Sequence, residues 1–132
     1  MHQNLLSYLI LICFSSSLYA VNDDAILSDK TPKVLSEYEF FSDPLNQIPN
    51  SDVVPYELIT ALFSDYTDKH RFVYFPNGTS AKYDGEDVFD FPIGSALIKT
   101  FSYQTTQGGL LLLETRLLLN KEDGWDALTY VW

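Results

Sequence analysis

The sequence predicts a mainly β fold, an antiparallel β-sandwich or half-barrel with one short N-terminal helix, incomplete at its C-terminal end. Three observations predict it. From His70 onward, short runs of aromatic, β-branched and leucine residues alternate with turn residues such as Asn77-Gly78 and Gly108-Gly109. Nine Phe, nine Tyr and two Trp supply the large side chains that strand-built cores use. Beyond residue 20 there is no cysteine, so the core has to be held by burial and hydrogen bonds rather than by disulfides.

The elements follow in order. Residues 1–20 read as a secretory signal peptide. An apolar run at 5–14, broken only by Ser7, precedes Ser15, Ser16 and Ser17 and a cleavage point after Ala20. The run is too short for a membrane span, which needs ~20 apolar residues, so no span remains after signal removal. The n-region lacks Lys and Arg, and an uncleaved anchor is the competing reading. A lipoprotein signal on Cys13 fits less well, because bulky Ile12 stands where a small residue is needed. Export places the protein in the periplasm or outside the cell, and the lack of disulfides favours a periplasm.

Residues 21–52 read as a polar leader, a short helix and a loop. Thr31-Pro32 is a helix start, and Val34, Leu35, Tyr38 and Phe41 recur at helical spacing, which predicts a helix over 32–41. Pro44, Pro49 and Pro55 make the following stretch a loop.

Residues 53–132 form the β-rich domain. A strand is predicted over 70–75. Asn77-Gly78 favours a type I′ turn into a second strand over 79–83. Asn77-Gly78-Thr79 also spells a glycosylation acceptor, which the turn explains without sugar. Residues 84–90 are an acidic loop. In the strand at 96–103, Leu97, Lys99, Phe101 and Tyr103 share one face, and Ala96, Ile98, Thr100 and Ser102 the other. Residues 110–119 suit a helix or a strand by composition. As a strand both faces are largely apolar, which predicts a central strand covered on both sides. Glu122-Asp123-Gly124 turns into a last strand ending at Trp132. An exposed Tyr-Val-Trp edge is sticky, so the 132 residues read as the front piece of a longer protein.

The net charge is −10, and all 18 acidic and all 8 basic residues lie beyond residue 20. That balance argues against a nucleic-acid partner, which needs a basic patch, and against an anionic membrane surface. No thiolate nucleophile, thiolate metal site or Cys-x-x-Cys-His haem attachment exists in the mature part.

Several segments carry a resemblance. They are Leu35-Ser36-Glu37-Tyr38, Val54-Pro55-Tyr56-Glu57-Leu58 and Leu62-Phe63-Ser64-Asp65-Tyr66. Lys69-His70-Arg71-Phe72-Val73, Phe89-Asp90-Phe91-Pro92-Ile93-Gly94 and Leu97-Ile98-Lys99-Thr100-Phe101 follow. Glu114-Thr115-Arg116-Leu117-Leu118 and Gly124-Trp125 with Tyr130-Val131-Trp132 complete the set. In order and spacing the chain resembles the N-terminal region of a family of exported bacterial di-haem c-type cytochromes. The resemblance implies haem c on a downstream domain of the same protein, bound through a Cys-x-x-Cys-His that this chain lacks. It also implies an exported parallel β-helix protein as a partner. The function expected is a non-catalytic N-terminal domain that supports electron transfer by that haem domain, positioning or shielding it and offering an acidic docking face to a redox partner. The alternative is an exported β-sandwich binding module for carbohydrate or a cell-surface ligand. An enzyme fragment completed by further residues is a weaker third.

No catalytic residue is assigned, and no metal ligand set. His70, the only histidine beyond the signal, is the one candidate cofactor ligand, as an axial haem ligand; its plainer role is a hydrogen bond at a strand start. Glu114 and Arg116, two apart on one strand face, are expected to form a structural ion pair with each other or with Lys99 or Arg71. Their sharper role is the polar floor of a ligand pocket. Asp84, Glu86, Asp87 and Asp90 suggest calcium only weakly, since their spacing misses the EF-hand loop. Asp65 and Asp68, near His70 and Arg71, lack a nucleophile or metal motif beside them.

Overall fold

The computed structural model describes residues 20–132. The signal and Cys13 fall outside the described residues, apart from Ala20 at the proposed cleavage point. The fold is mainly β, in two antiparallel sheets. The larger has five strands: β3 (Val53–Pro55), β4 (Asp68–Tyr74), β5 (Ala96–Gln104), β6 (Leu110–Lys121) and β7 (Gly124–Val131). They are paired in sequence order, with β3 and β7 at the two edges, so the sheet does not close into a barrel. The smaller is a ribbon of β1 (Phe41–Asp43) and β2 (Ile48–Pro49).

Strand alternation sets the core. On β5, Ala96, Ile98, Thr100 and Ser102 are buried while Leu97, Lys99 and Phe101 are half-buried. Register puts Ala96 opposite Leu119, Ile98 opposite Leu117 and Thr100 opposite Thr115. These residues, with Phe72 and Tyr74 of β4, make the inner face. A bulge lets Ser102 pair with Leu112 after Phe101 has paired with Glu114. Leu113 is the extra residue, and beyond it the side-chain alternation of β6 is reset.

The N-terminal segment covers this inner face. Here the structure corrects the sequence reading, which made residues 21–30 a flexible leader and 32–41 a helix. The helix, α1, is Asp23–Leu27. Asn22 caps it by accepting from the Ala25 amide at 3.1 Å, and Asp23 and Asp24 suit the positive end of its dipole. Ile26 is fully buried. Helical spacing over 32–41 gives only a 3₁₀ turn, Leu35–Tyr38. It stops because Glu39 is left-handed, with φ 56°, and Phe41 already belongs to β1. The 3₁₀ turn aims Tyr38 inward, where its ring stacks on Phe40 at 5.2 Å. Phe40 meets Tyr74, and Phe41 meets Phe72 edge-on. Lys121 ties the layers together, donating to the Ser28 carbonyl at 2.7 Å and pairing with Asp126 at 2.9 Å.

Two further expectations fail. The Asn77-Gly78 turn forms, with Thr79 N–H donating to the Pro76 carbonyl at 3.0 Å, but no strand follows over 79–83. Only Gly78 has positive φ, so the turn lacks the two left-handed residues of type I′. β4 pairs instead with β5, and 75–95 is a long connection. That connection is pinned by Phe75 stacked on Phe91, by Phe91 edge-on to Trp125, and by Asn120 donating to the Phe91 carbonyl. The residues at 110–119 do form a strand, but it is covered on one side only. Leu111 and Leu118 are 55% and 42% exposed, so the outer face of the sheet is open at β6.

Candidate functional site

The inner face holds a buried polar end. Thr100 and Thr115 hydroxyls lie 2.7 Å apart, and the Trp132 indole N–H donates to Thr115 at 3.0 Å. His70, directly beside them on β4, places Nε2 2.8 Å from Ser102 Oγ. The side chain proposed as a haem ligand thus has one ring nitrogen occupied by a strand-to-strand hydrogen bond. Near it, the Asp68 carboxylate accepts from Gln104, and Asp65 gives its backbone carbonyl to the Tyr103 hydroxyl. Neither aspartate hydrogen-bonds or ion-pairs with His70 or Arg71 among the described residues.

The acidic loop serves its own backbone. Asp84 accepts from the Glu86 amide, Asp87 accepts from the Val88 amide, and Asp90 bridges Lys82 through main-chain bonds. Among the described residues no group of three or more His, Cys, Asp or Glu side chains is placed to hold a metal ion.

The outer face carries the unusual chemistry. Register sets Arg71 of β4 opposite Lys99 of β5, and Lys99 opposite Arg116 of β6. Three cations therefore stand in one row across three adjacent strands, and the next row begins with Lys69 opposite Phe101. These four are half of the eight basic residues of a chain with net charge −10. Like charges directly opposite in a sheet are destabilising, so each cation needs an account.

Arg71 is 8% exposed and pairs with Glu57 at 3.6 Å under the segment that follows β3. Arg116 pairs with Glu114 on its own strand, Nε donating to Oε1 at 2.7 Å, and its guanidinium lies 4.9 Å from the Phe101 ring centroid. Glu114 and Arg116 thus meet each other, at a half-open surface rather than in a buried core. Lys69 donates Nζ to the Leu62 carbonyl. Lys99 has no carboxylate partner among the described residues; its ammonium sits 5.1 Å from the same Phe101 ring. Burial first, then Arg116, Arg71 and Lys69, lower its pKa below the usual lysine value.

A groove of about 280 Å³ runs along this row. Lys99, Arg116, Tyr56 and Thr129 give it polar atoms, and Leu97 and Leu118 give it an apolar floor. The apolar row is the neighbouring one in register, Val73–Leu97–Leu118–Ala127. A separate apolar cleft of about 410 Å³ lies between the 3₁₀ turn and the end of β7.

Sequence reasoning found Glu114 and Arg116 but treated Lys99 and Arg71 only as spare partners for them. The signal for the row was present in part: each cation stands mid-way along an otherwise β-forming run. The pairing register that aligns them is a tertiary property and is not written in any one segment.

No family model, curated protein or solved structure matches the chain.

Proposed function

We propose that the chain is a non-catalytic module of an exported, cytochrome-like protein, supporting electron transfer by a haem domain carried on further polypeptide. The supporting observation is the asymmetry of the sheet. Its inner face is filled by residues 21–50, whereas its outer face keeps an exposed, chemically mixed surface centred on Lys99 and Arg116. Such a face suits docking, since the carboxylates beside its cations, Glu57 and Glu114, are already engaged with Arg71 and Arg116. The proposed docking surface is cationic along the Arg71–Lys99–Arg116 row, whereas the sequence led to the expectation of an acidic one.

The test is to extend the coding sequence past residue 132 and to co-express the chain with the segment encoded there. A Cys-x-x-Cys-His segment that takes up haem and binds this chain in a size-exclusion assay supports the reading. A continuation without that motif overturns it.

The second reading, an exported binding module, is favoured by one observation. The groove beside Lys99 joins a charged row to an apolar row within a single concavity.

A further inference from the structure

The geometry points to the outer-face groove as a binding site for a small organic carboxylate with an apolar body. The carboxylate sits over Lys99 and Arg116, and the body lies on Leu97 and Leu118. This rests on the second reading above, the sheet face as a binding surface, and needs no haem domain.

The charge comes first. In the two rows concerned, four cations face two carboxylates, Glu57 and Glu114. Glu57 is taken by Arg71, and Glu114 by Nε and Nη2 of Arg116. Lys99 stands between two guanidinium-bearing neighbours, with no carboxylate on its donors among the described residues. The Phe101 ring and the Glu114 charge offset part of the cost of a third cation there, but a neutral side chain at this half-buried position would avoid both the desolvation and the repulsion. A position that breaks a local rule with only partial structural compensation points to function. An incoming oxyanion supplies the missing compensation: it bridges Lys99 and the free edge of the Arg116 guanidinium.

The apolar half comes from register. Leu97 and Leu118 are directly opposite each other, one alternation step along the strands from Lys99 and Arg116. That step is ~7 Å, the distance from a carboxylate to the middle of a short acyl chain or to the far edge of a ring. Leu118 is 42% exposed, so its surface is available. The volume, about 280 Å³, is just under that of drug-sized pockets, which start at ~300 Å³. A short acid fits, and a large cofactor does not. Phe101 is not the platform, because both cations already lie against its ring; it holds them in place.

The experiment is a titration of the full chain with octanoate, acetate and inorganic phosphate at low salt, followed by calorimetry and by amide NMR shifts. Octanoate is expected to bind at least about ten-fold tighter than acetate or phosphate, since only it uses the leucine row. Shifts are expected at residues 97–99 and 116–118. Lys99→Gln is expected to weaken octanoate about ten-fold or more, and Leu118→Ser to weaken octanoate while leaving acetate unchanged. Equal binding of octanoate and phosphate reduces the site to a bare patch of charge and overturns the proposal. So does an undiminished octanoate affinity in Lys99→Gln, whose folding is checked independently by urea unfolding. No haem domain is present in this titration, so its failure is distinct from failure of the cytochrome reading.

Discussion

The hydroxyl of Tyr130, on β7, lies 3.2 Å from that of Tyr38, 92 residues earlier in the chain. Tyr130 in turn donates to the Pro32 carbonyl at 2.8 Å, which leaves the shared proton between the two phenols to come from Tyr38. Their rings meet edge-on at 6.0 Å. One contact thus fastens the N-terminal layer to the last strand.

Tyr130→Phe is expected to lower stability by about 1–3 kcal/mol, because it strands the fully buried Tyr38 hydroxyl and the Pro32 carbonyl. Adding Tyr38→Phe is expected to recover part of that loss. Urea unfolding of the two single variants and the double variant measures it; strictly additive losses would contradict a shared bond.

Burial, chiefly, raises the pKa of Tyr38 and Tyr74 above the ordinary 10.0, helped by Tyr130 in one case and by Asp23 in the other. The folded state therefore keeps protons that the unfolded chain releases. Stability from these two phenols is complete below pH ~10 and is lost as pH rises beyond it. Alkaline unfolding is expected to start above that pH and to coincide with a late rise in tyrosinate absorbance. Tyr74→Phe is expected to shift the onset upward.

Lys99 works in the opposite direction. Its lowered pKa means that the unfolded chain binds more protons, so stability is expected to rise with pH as Lys99 loses its charge. Lys99→Gln is expected to remove that slope and to add about 0.5–1 kcal/mol at neutral pH. The gain is expected to shrink in high salt, which screens the repulsion. Urea midpoints across pH and salt give both.

Gly94 has φ +88°, and a Cβ placed there would come within 2.8 Å of Pro76 Cγ. Gly78 has φ +77° with nothing within 4 Å. Gly78→Ala is expected to cost only the left-handed backbone penalty, about 1–2 kcal/mol. Gly94→Ala is expected to cost more, because Pro76 must also move. Thermal unfolding of the pair separates strain from collision, and equal losses would show that the loop yields freely.

Arg116→Ala is expected to cost under about 1 kcal/mol, because its bond to Glu114 is half-exposed and competes with water. Circular dichroism with urea unfolding checks this. A larger loss would mean that the pair holds the strand.

The strand β5 was legible because alternation is local, whereas β6, apolar on both faces, suited a helix or a strand. Ala96, Ile98, Thr100 and Ser102 share a face by parity alone, and the structure buries all four. What was illegible depended on distant partners. The apolar spacing at Val34, Leu35, Tyr38 and Phe41 suits a helix, yet Tyr38 and Phe41 turn to meet Tyr130 and Phe72, which lie far along the chain. Asn77-Gly78 makes a turn as such pairs do, but the next strand in sequence that β4 pairs with starts only at Ala96. On the outer face, Glu114 and Arg116 were visible as neighbours two apart. Lys99 joined them only through register, which no single segment encodes.

The Tyr38–Tyr130 clasp also orders the events of biosynthesis. Polypeptide emerges from the ribosome N-terminus first, so Ile26, Tyr38 and Phe40 are made before any surface exists to shelter them. β7 is the last strand in the chain, so Tyr130 reaches Tyr38 only once nearly all of it has been made. Until then the Tyr38 hydroxyl lacks the partner it has in the fold, and it is over this interval that a holding chaperone would have most to protect.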